Sequence, residues 1–257
     1  MEVSIRIHSG PVARLPGPEA VRLDLRLAGK TVPAVLALVG RSELDSASRS
    51  AGSILHPNER VRFRGLERSY RKQSALLGWF AVKTALAHYL EEPRKNRIEI
   101  AVGPLDQPLV KYPRSDLPDL TMSHSRTCAG AIAYAAGHVM GIDVEDIDPS
   151  KFALFRKGLT GHETRLADHP GPGQGPLWIL LRTAREALGR AIRCEPSMPG
   201  ELLSVNAMTF HPRGRVESSF RNFAHFRCCS WILPGSVLSI VLPRSAELNL
   251  EFGGTDR

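Results

Sequence analysis

Apolar and polar positions along the chain sort it into short strand-like runs and a few longer helical ones. Two early runs, Val3-Ser4-Ile5-Arg6-Ile7 and Val21-Arg22-Leu23-Asp24-Leu25-Arg26-Leu27, alternate with a period of two and end at glycine or proline, as half-buried strands do. From Leu76 the period changes. Leu76, Leu77, Phe80, Ala81, Ala85 and Tyr89 recur at helical spacing and predict a helix with that face on a core. Ile98-Glu99-Ile100-Ala101-Val102 predicts a strand stopped by Gly103-Pro104, and the proline-broken residues 106–119 predict an irregular connection. Met122 to Val144 predicts two strands turning at Ala136-Gly137.

Helical signals follow. Asp148-Pro149 is an N-cap with proline at the first helical position, predicting a helix to about Lys157, and Thr160-Gly161-His162-Glu163 has the spacing of a capping box. Residues 169–176, HPGPGQGP, predict a loop. Leu177 to Ile192 is the strongest helical pattern, with Leu180, Ala184, Ala187, Leu188 and Ala191 as its apolar stripe. Four later runs, 202–210, 215–221, 226–233 and 236–242, predict an antiparallel sheet. Strand, helix and hairpin thus recur in both halves. The expected fold class is α+β in two sub-domains, residues 1–120 and 121–257.

Composition narrows the partners. A formal net charge of +8 over 257 residues favours anions: phosphates, nucleic acid or an acidic protein. Aromatic content of only 6% and the lack of an aromatic strand motif argue against nucleic acid, as does an Arg-rich stretch that leads into an amphipathic helix. Cys128, Cys194, Cys228 and Cys229 have neither CxxC nor framework spacing, so reduced and mostly buried thiols are expected. The N-terminus lacks a basic-then-apolar signal, and no apolar run approaches the roughly 18–20 residues that span a bilayer. The expectation is a cytoplasmic protein without a membrane partner, and the opening Met1 reads as the start of a free-standing chain.

Candidate chemistry centres on Asp143 and Glu145, two apart in an apolar run. On a strand they share a face. Adjacent acids repel and lose hydration unless a cation sits between them, and an all-oxygen donor set suits Mg²⁺, commonly with a phosphate ligand. Glu186 and Arg190 are four apart on the predicted 177–192 helix, with Arg182 one turn earlier, which alone describes a surface ion-pair ladder. Ser123-His124-Ser125 reads as a strand end whose hydroxyls satisfy a turn. A nucleophile pair is the other reading, for which no GxSxG elbow is present. Arg62, Arg71 and Lys72, within the basic stretch that starts at Arg60, are candidate phosphate contacts.

Taken in order, Ser123-His124-Ser125, Gly141-Ile142-Asp143-Val144-Glu145, Leu159-Thr160-Gly161-His162-Glu163 and Leu181-Arg182-Thr183-Ala184-Arg185-Glu186-Ala187-Leu188 resemble the 4′-phosphopantetheinyl transferases. The resemblance is to the large monomeric type that serves polyketide and peptide synthases, and it covers about residues 55–205. It implies two similar α+β halves related by pseudo-twofold symmetry, each a small antiparallel sheet packed with helices, with coenzyme A bound between them. It implies Asp143, Glu145 and Glu186 as the Mg²⁺ carboxylates and Ser123 and His124 as contacts to the phosphates of coenzyme A. It also implies Glu163 as general base and Arg190 in place of a phosphate-assisting lysine. The implied reaction is attack by a serine of an acyl or peptidyl carrier protein on the β-phosphate of coenzyme A, releasing 3′,5′-ADP. The chain departs from the family pattern at Trp79, Arg182 and Arg185, and at Gln107, which replaces a nucleotide-contacting lysine. Those departures keep open a non-catalytic relative that binds coenzyme A or a carrier protein.

Overall fold

The computed structural model describes residues 20–43, 48–49, 51–65, 69–104, 107–168, 173–194, 198–211, 214–250 and 252. The predicted strand at residues 3–7 lies outside them. The 21–27 run forms two strands, β1 (Ala20–Arg22) and β2 (Asp24–Leu27). The chain changes partner at Leu23, whose N–H donates to Ala34 O. β3 (Lys30–Thr31) and β4 (Ala34–Gly40) follow. Next come α1 (Ala51–Ile54), α2 (Pro57–Arg64) and α3 (Ser69–Leu90). β5 (Glu99–Val102), β6 (Pro108–Lys111), β7 (Asp119–His124), β8 (Cys128–Tyr134) and β9 (Gly141–Asp146) lead to a second helical group. That group is α4 (Phe152–Lys157), α5 (Gly161–Ala167) and α6 (Gln174–Ala191). β10 (Val205–Phe210), β11 (Arg215–Phe220), β12 (Phe226–Leu233), β13 (Ser236–Pro243) and β14 (Ala246–Asn249) complete the order. The fold is α+β, small antiparallel sheets packed with helices.

Two compact units divide at Met140 and Gly141, and residues 246–250 return to the first. The boundary therefore falls twenty residues beyond the expected 120/121. β7 and β8 are the reason. β8 pairs with β4 from Ala34↔Tyr134 to Gly40↔Cys128 and with β7 from Asp119↔Tyr134 to His124↔Ala129, so both belong to the first unit's sheet, ordered β1-β4-β8-β7. Residues 122–144 accordingly hold parts of three strands, not two. The extra turn is closed by Ser125, whose Oγ accepts from Cys128 N at 3.1 Å and Thr127 N at 3.2 Å.

In the first unit α3 lies on the sheet, and Leu76, Leu77, Ala81, Ala85 and Leu86 meet Val35, Ala37, Val39 and the alanines of β8. Small side chains on β8 let the 22-residue helix approach closely. The expected irregular connection at 106–119 contains β6, which pairs with β5 from Glu99↔Lys111 to Val102↔Pro108. Pro108 opens that strand, where a missing N–H is tolerated. One ion pair lies inside this unit: Lys83 Nζ and Glu59 Oε1 are 2.9 Å apart and both side chains are fully buried. Glu59 also accepts from Ile100 N at 2.7 Å and His56 N at 2.8 Å, tying α2 to β5. Burial pushes the Lys83 ammonium below its usual pKa, against the pull of Glu59.

The second unit sets α6 on a five-stranded sheet ordered β10-β11-β12-β13-β9. The four predicted strands appear with small shifts, whereas the helix expected from Leu177 already begins at Gln174. Between helix and sheet runs a buried polar line. Thr183 Oγ1 and Ser239 Oγ are 2.7 Å apart, Ser230 Oγ follows at 2.8 Å, and Cys228 Sγ lies 3.3 Å beyond. Burial pushes the Cys228 thiol up to about 12, so it is not a nucleophile at neutral pH. Cys128, Cys228 and Cys229 are buried and Cys194 partly so, all as free thiols. Among the described residues no helix is long and apolar enough to cross a membrane.

Candidate functional site

β9 presents its acids to α6. A Cβ on Gly141 would sit 1.9 Å from Ala187 O, so the strand passes directly against the helix backbone at a point where only glycine fits. The period of two then puts residues 143 and 145 on that same helix-facing side, as expected from their spacing. Asp143 is buried, and its Oδ1 accepts from the Arg190 guanidinium, which also donates to Ile142 O at 3.4 Å. Glu145 meets Lys151 Nζ at 3.3 Å. Glu186 lies one turn before Arg190 and pairs with Arg182 at 3.5 Å, as the i,i+4 spacing predicts.

Each of these three carboxylates is thus closed on a cation. The repulsion that the sequence assigned to a metal is relieved by basic side chains. Their oxygen donors suit Mg²⁺ in chemical type, but the expected triad is not assembled as a site. Among the described residues no group of three or more His, Cys, Asp or Glu is placed to hold a metal ion.

Glu163 departs further from its expected role. The predicted capping box is present, with Thr160 as N-cap of α5. Glu163 is fully buried; Oε2 accepts from Thr160 N at 2.9 Å, Thr160 Oγ1 at 3.0 Å and Arg185 Nη1 at 3.2 Å, and Oε1 accepts from Val205 N at 3.0 Å. A carboxylate with both oxygens so engaged is stapling α5, α6 and β10, not standing open to a substrate hydroxyl. Arg185 also donates to Gly158 O at 2.8 Å and so braces the α4–α5 turn.

Ser123 and His124 close β7 in the first unit, Ser123 buried and His124 exposed. His124 Nδ1 is 2.7 Å from Ser74 Oγ on α3. Gly78, one turn further on, carries no side chain because a Cβ would meet Met122 Cε at 2.7 Å and His124 Cδ2 at 3.2 Å. Arg62 donates to Ile100 O, so its guanidinium braces β5. Gln107 folds over Gly103, where a Cβ would lie 2.5 Å from Gln107 Cδ. Arg71 and Lys72 are on α3, and their side chains lie outside the described residues. Asp143, Glu145, Glu163, Glu186 and Arg190 belong to the second unit, and Arg62, Gln107, Ser123 and His124 to the first. Sequence reasoning missed Ser74 and Lys151. Ser74 is fifty positions from its partner, and Lys151 is six from Glu145, a spacing no helix or strand period selects.

No family model and no curated protein matches the chain. Among solved structures it is similar to a holo-(acyl-carrier-protein) synthase from Bacillus anthracis str. Ames in complex with CoA (3′,5′-ADP), at 20% identity, covering 45% of this chain and 96% of that one, with a TM-score of 0.35. A likeness of that size carries no weight about function.

Proposed function

We propose that this chain transfers the 4′-phosphopantetheine arm of coenzyme A to a serine of an acyl or peptidyl carrier protein, with 3′,5′-ADP as the leaving group. One observation carries the reading. Asp143 and Glu145 share the helix-facing side of β9, and Asp143 is bound to Arg190 from the same helix stripe as Glu186. With the ordered motifs from residue 123 to 188, that is the acid-and-base face such a transfer requires. The net charge of +8 suits both the phosphates of coenzyme A and an acidic carrier surface.

Arg190, exchanging Asp143 for the pyrophosphate, stabilises charge on the leaving oxygens with a group that stays protonated at any physiological pH. Ser123 and His124 bind phosphate oxygens, with Arg62, Arg71, Lys72 and Gln107 as further coenzyme A contacts. Asp143, Glu145 and Glu186 would hold Mg²⁺ only once released from Arg190, Lys151 and Arg182, and the ion would then supply neutralisation of the pyrophosphate charge. Glu163 positions Arg185 and the start of β10 and is not the base. The closed ion pairs at all three carboxylates favour one second reading, a non-catalytic relative that binds coenzyme A or a carrier protein.

Intact mass spectrometry of several apo carrier proteins, incubated with the chain, coenzyme A and Mg²⁺, separates the two. A gain of one phosphopantetheinyl group is expected. No gain on any carrier, with coenzyme A still bound, would establish the binding relative.

A further inference from the structure

His124 is held by more than its own strand. Its ring is met by α3 at two places: the Ser74 hydroxyl lies 2.7 Å from Nδ1, and a Cβ on Gly78 would lie 3.2 Å from Cδ2, so the helix leaves the ring room there only as glycine. Ser74 and Gly78 are four residues apart and share one face of the helix. Together they fix rotation of the imidazole about its bond to Cβ, so that Nε2 faces away from Ser74. Arg41 is anchored beside the same helix turn by Gln73 Oε1 at 3.4 Å and by Arg126 O at 3.3 Å, which holds a guanidinium at this end of the unit.

We propose that Ser74 is a positioning residue for His124. Its hydroxyl, donating to Nδ1, keeps the proton on Nε2 and directs that N–H to a phosphate oxygen of the ligand. The proposal rests on the coenzyme A reading and names a residue that neither the motif pattern nor helical periodicity selects. A serine suits the task because its hydroxyl rotates. It donates to a neutral ring and accepts from a protonated one, so Nε2 carries a proton in both states.

The test uses the full chain and 3′,5′-ADP as probe, by isothermal titration calorimetry. Ser74→Ala is expected to weaken binding about fivefold, the scale of one lost hydrogen bond, and Ser74→Thr, which keeps the hydroxyl, to restore it. In a His124→Ala background Ser74→Ala is expected to add no further loss, since a residue acting through another has nothing left to act on. The ring nitrogens report directly. Nitrogen-15 shifts of His124 are expected to show the Nε2–H form in the wild-type chain and a mixture of tautomers in Ser74→Ala. Equal losses from Ser74→Ala in both backgrounds, or an unchanged tautomer, would overturn the proposal while leaving the functional reading intact. So would a His124→Ala loss with no Ser74→Ala loss. A wild-type chain that binds no 3′,5′-ADP would overturn both.

Discussion

Glu163 concentrates the residue-scale argument. Four hydrogen bonds reach a fully buried carboxylate from Thr160, Arg185 and Val205, so neutralising it strands donors on both oxygens. Glu163→Gln is expected to lower stability by about 2–4 kcal/mol, because its amide N–H faces donors and Arg185 loses its counter-ion. Urea denaturation measures it as a drop in midpoint. A base role predicts the reverse, unchanged stability with lost turnover. Half of this was legible beforehand. The capping box lies within four consecutive residues, but Arg185 and Val205 stand 22 and 42 positions away, and no local pattern reports contacts at that distance. The same limit applied to the carboxylates. Their shared strand face followed from a spacing of two, whereas the cations that neutralise them, Arg190 and Lys151, came from α6 and from the turn before α4.

At the scale of elements, the period of apolar positions located α6, α3 and the strands of the second sheet, and failed where period carries no signal. β4, Ala34–Gly40, is buried almost throughout and therefore does not alternate. β6 was masked by Pro108, and the first turns of α3 by a run of basic and polar residues with no apolar period. Where elements meet, buried charge is at stake. Lys83→Met removes the partner of Glu59 inside the first unit and is expected to cost about 3–5 kcal/mol, the penalty of leaving a buried carboxylate uncompensated, read from thermal or urea unfolding. The end of α3 responds to acid. The Arg94 N–H, with help from the Tyr112 hydroxyl and the Arg94 side chain, holds the Glu92 carboxyl down at about 2 from its ordinary 4.5. A depressed carboxylate stabilises the fold above pH 4.5 and loses that contribution as pH falls toward 2. Unfolding midpoints measured across that window should decline, and Glu92→Gln should flatten the decline.

For the whole molecule, a net charge of +8 favours anionic partners, and the described residues form two α+β units. Arg62, Gln107, Ser123 and His124 lie on the first unit, and Asp143, Glu145, Glu186 and Arg190 on the second. That division was obscured in the sequence because β7 and β8 look like the opening of the second half, and only the pairing of β8 with β4, and of β7 with β8, reveals otherwise. If the β9–α6 face carries the proposed transfer, Asp143 and Glu186 are both required for it. The most direct measurement is the initial rate of holo-carrier formation by the wild-type chain, Asp143→Asn and Glu186→Gln, each with Mg²⁺ and with EDTA. The rate is expected to fall about a hundredfold or more in either variant and in EDTA, with the fold retained by circular dichroism. Variants as fast as the wild-type chain would contradict it.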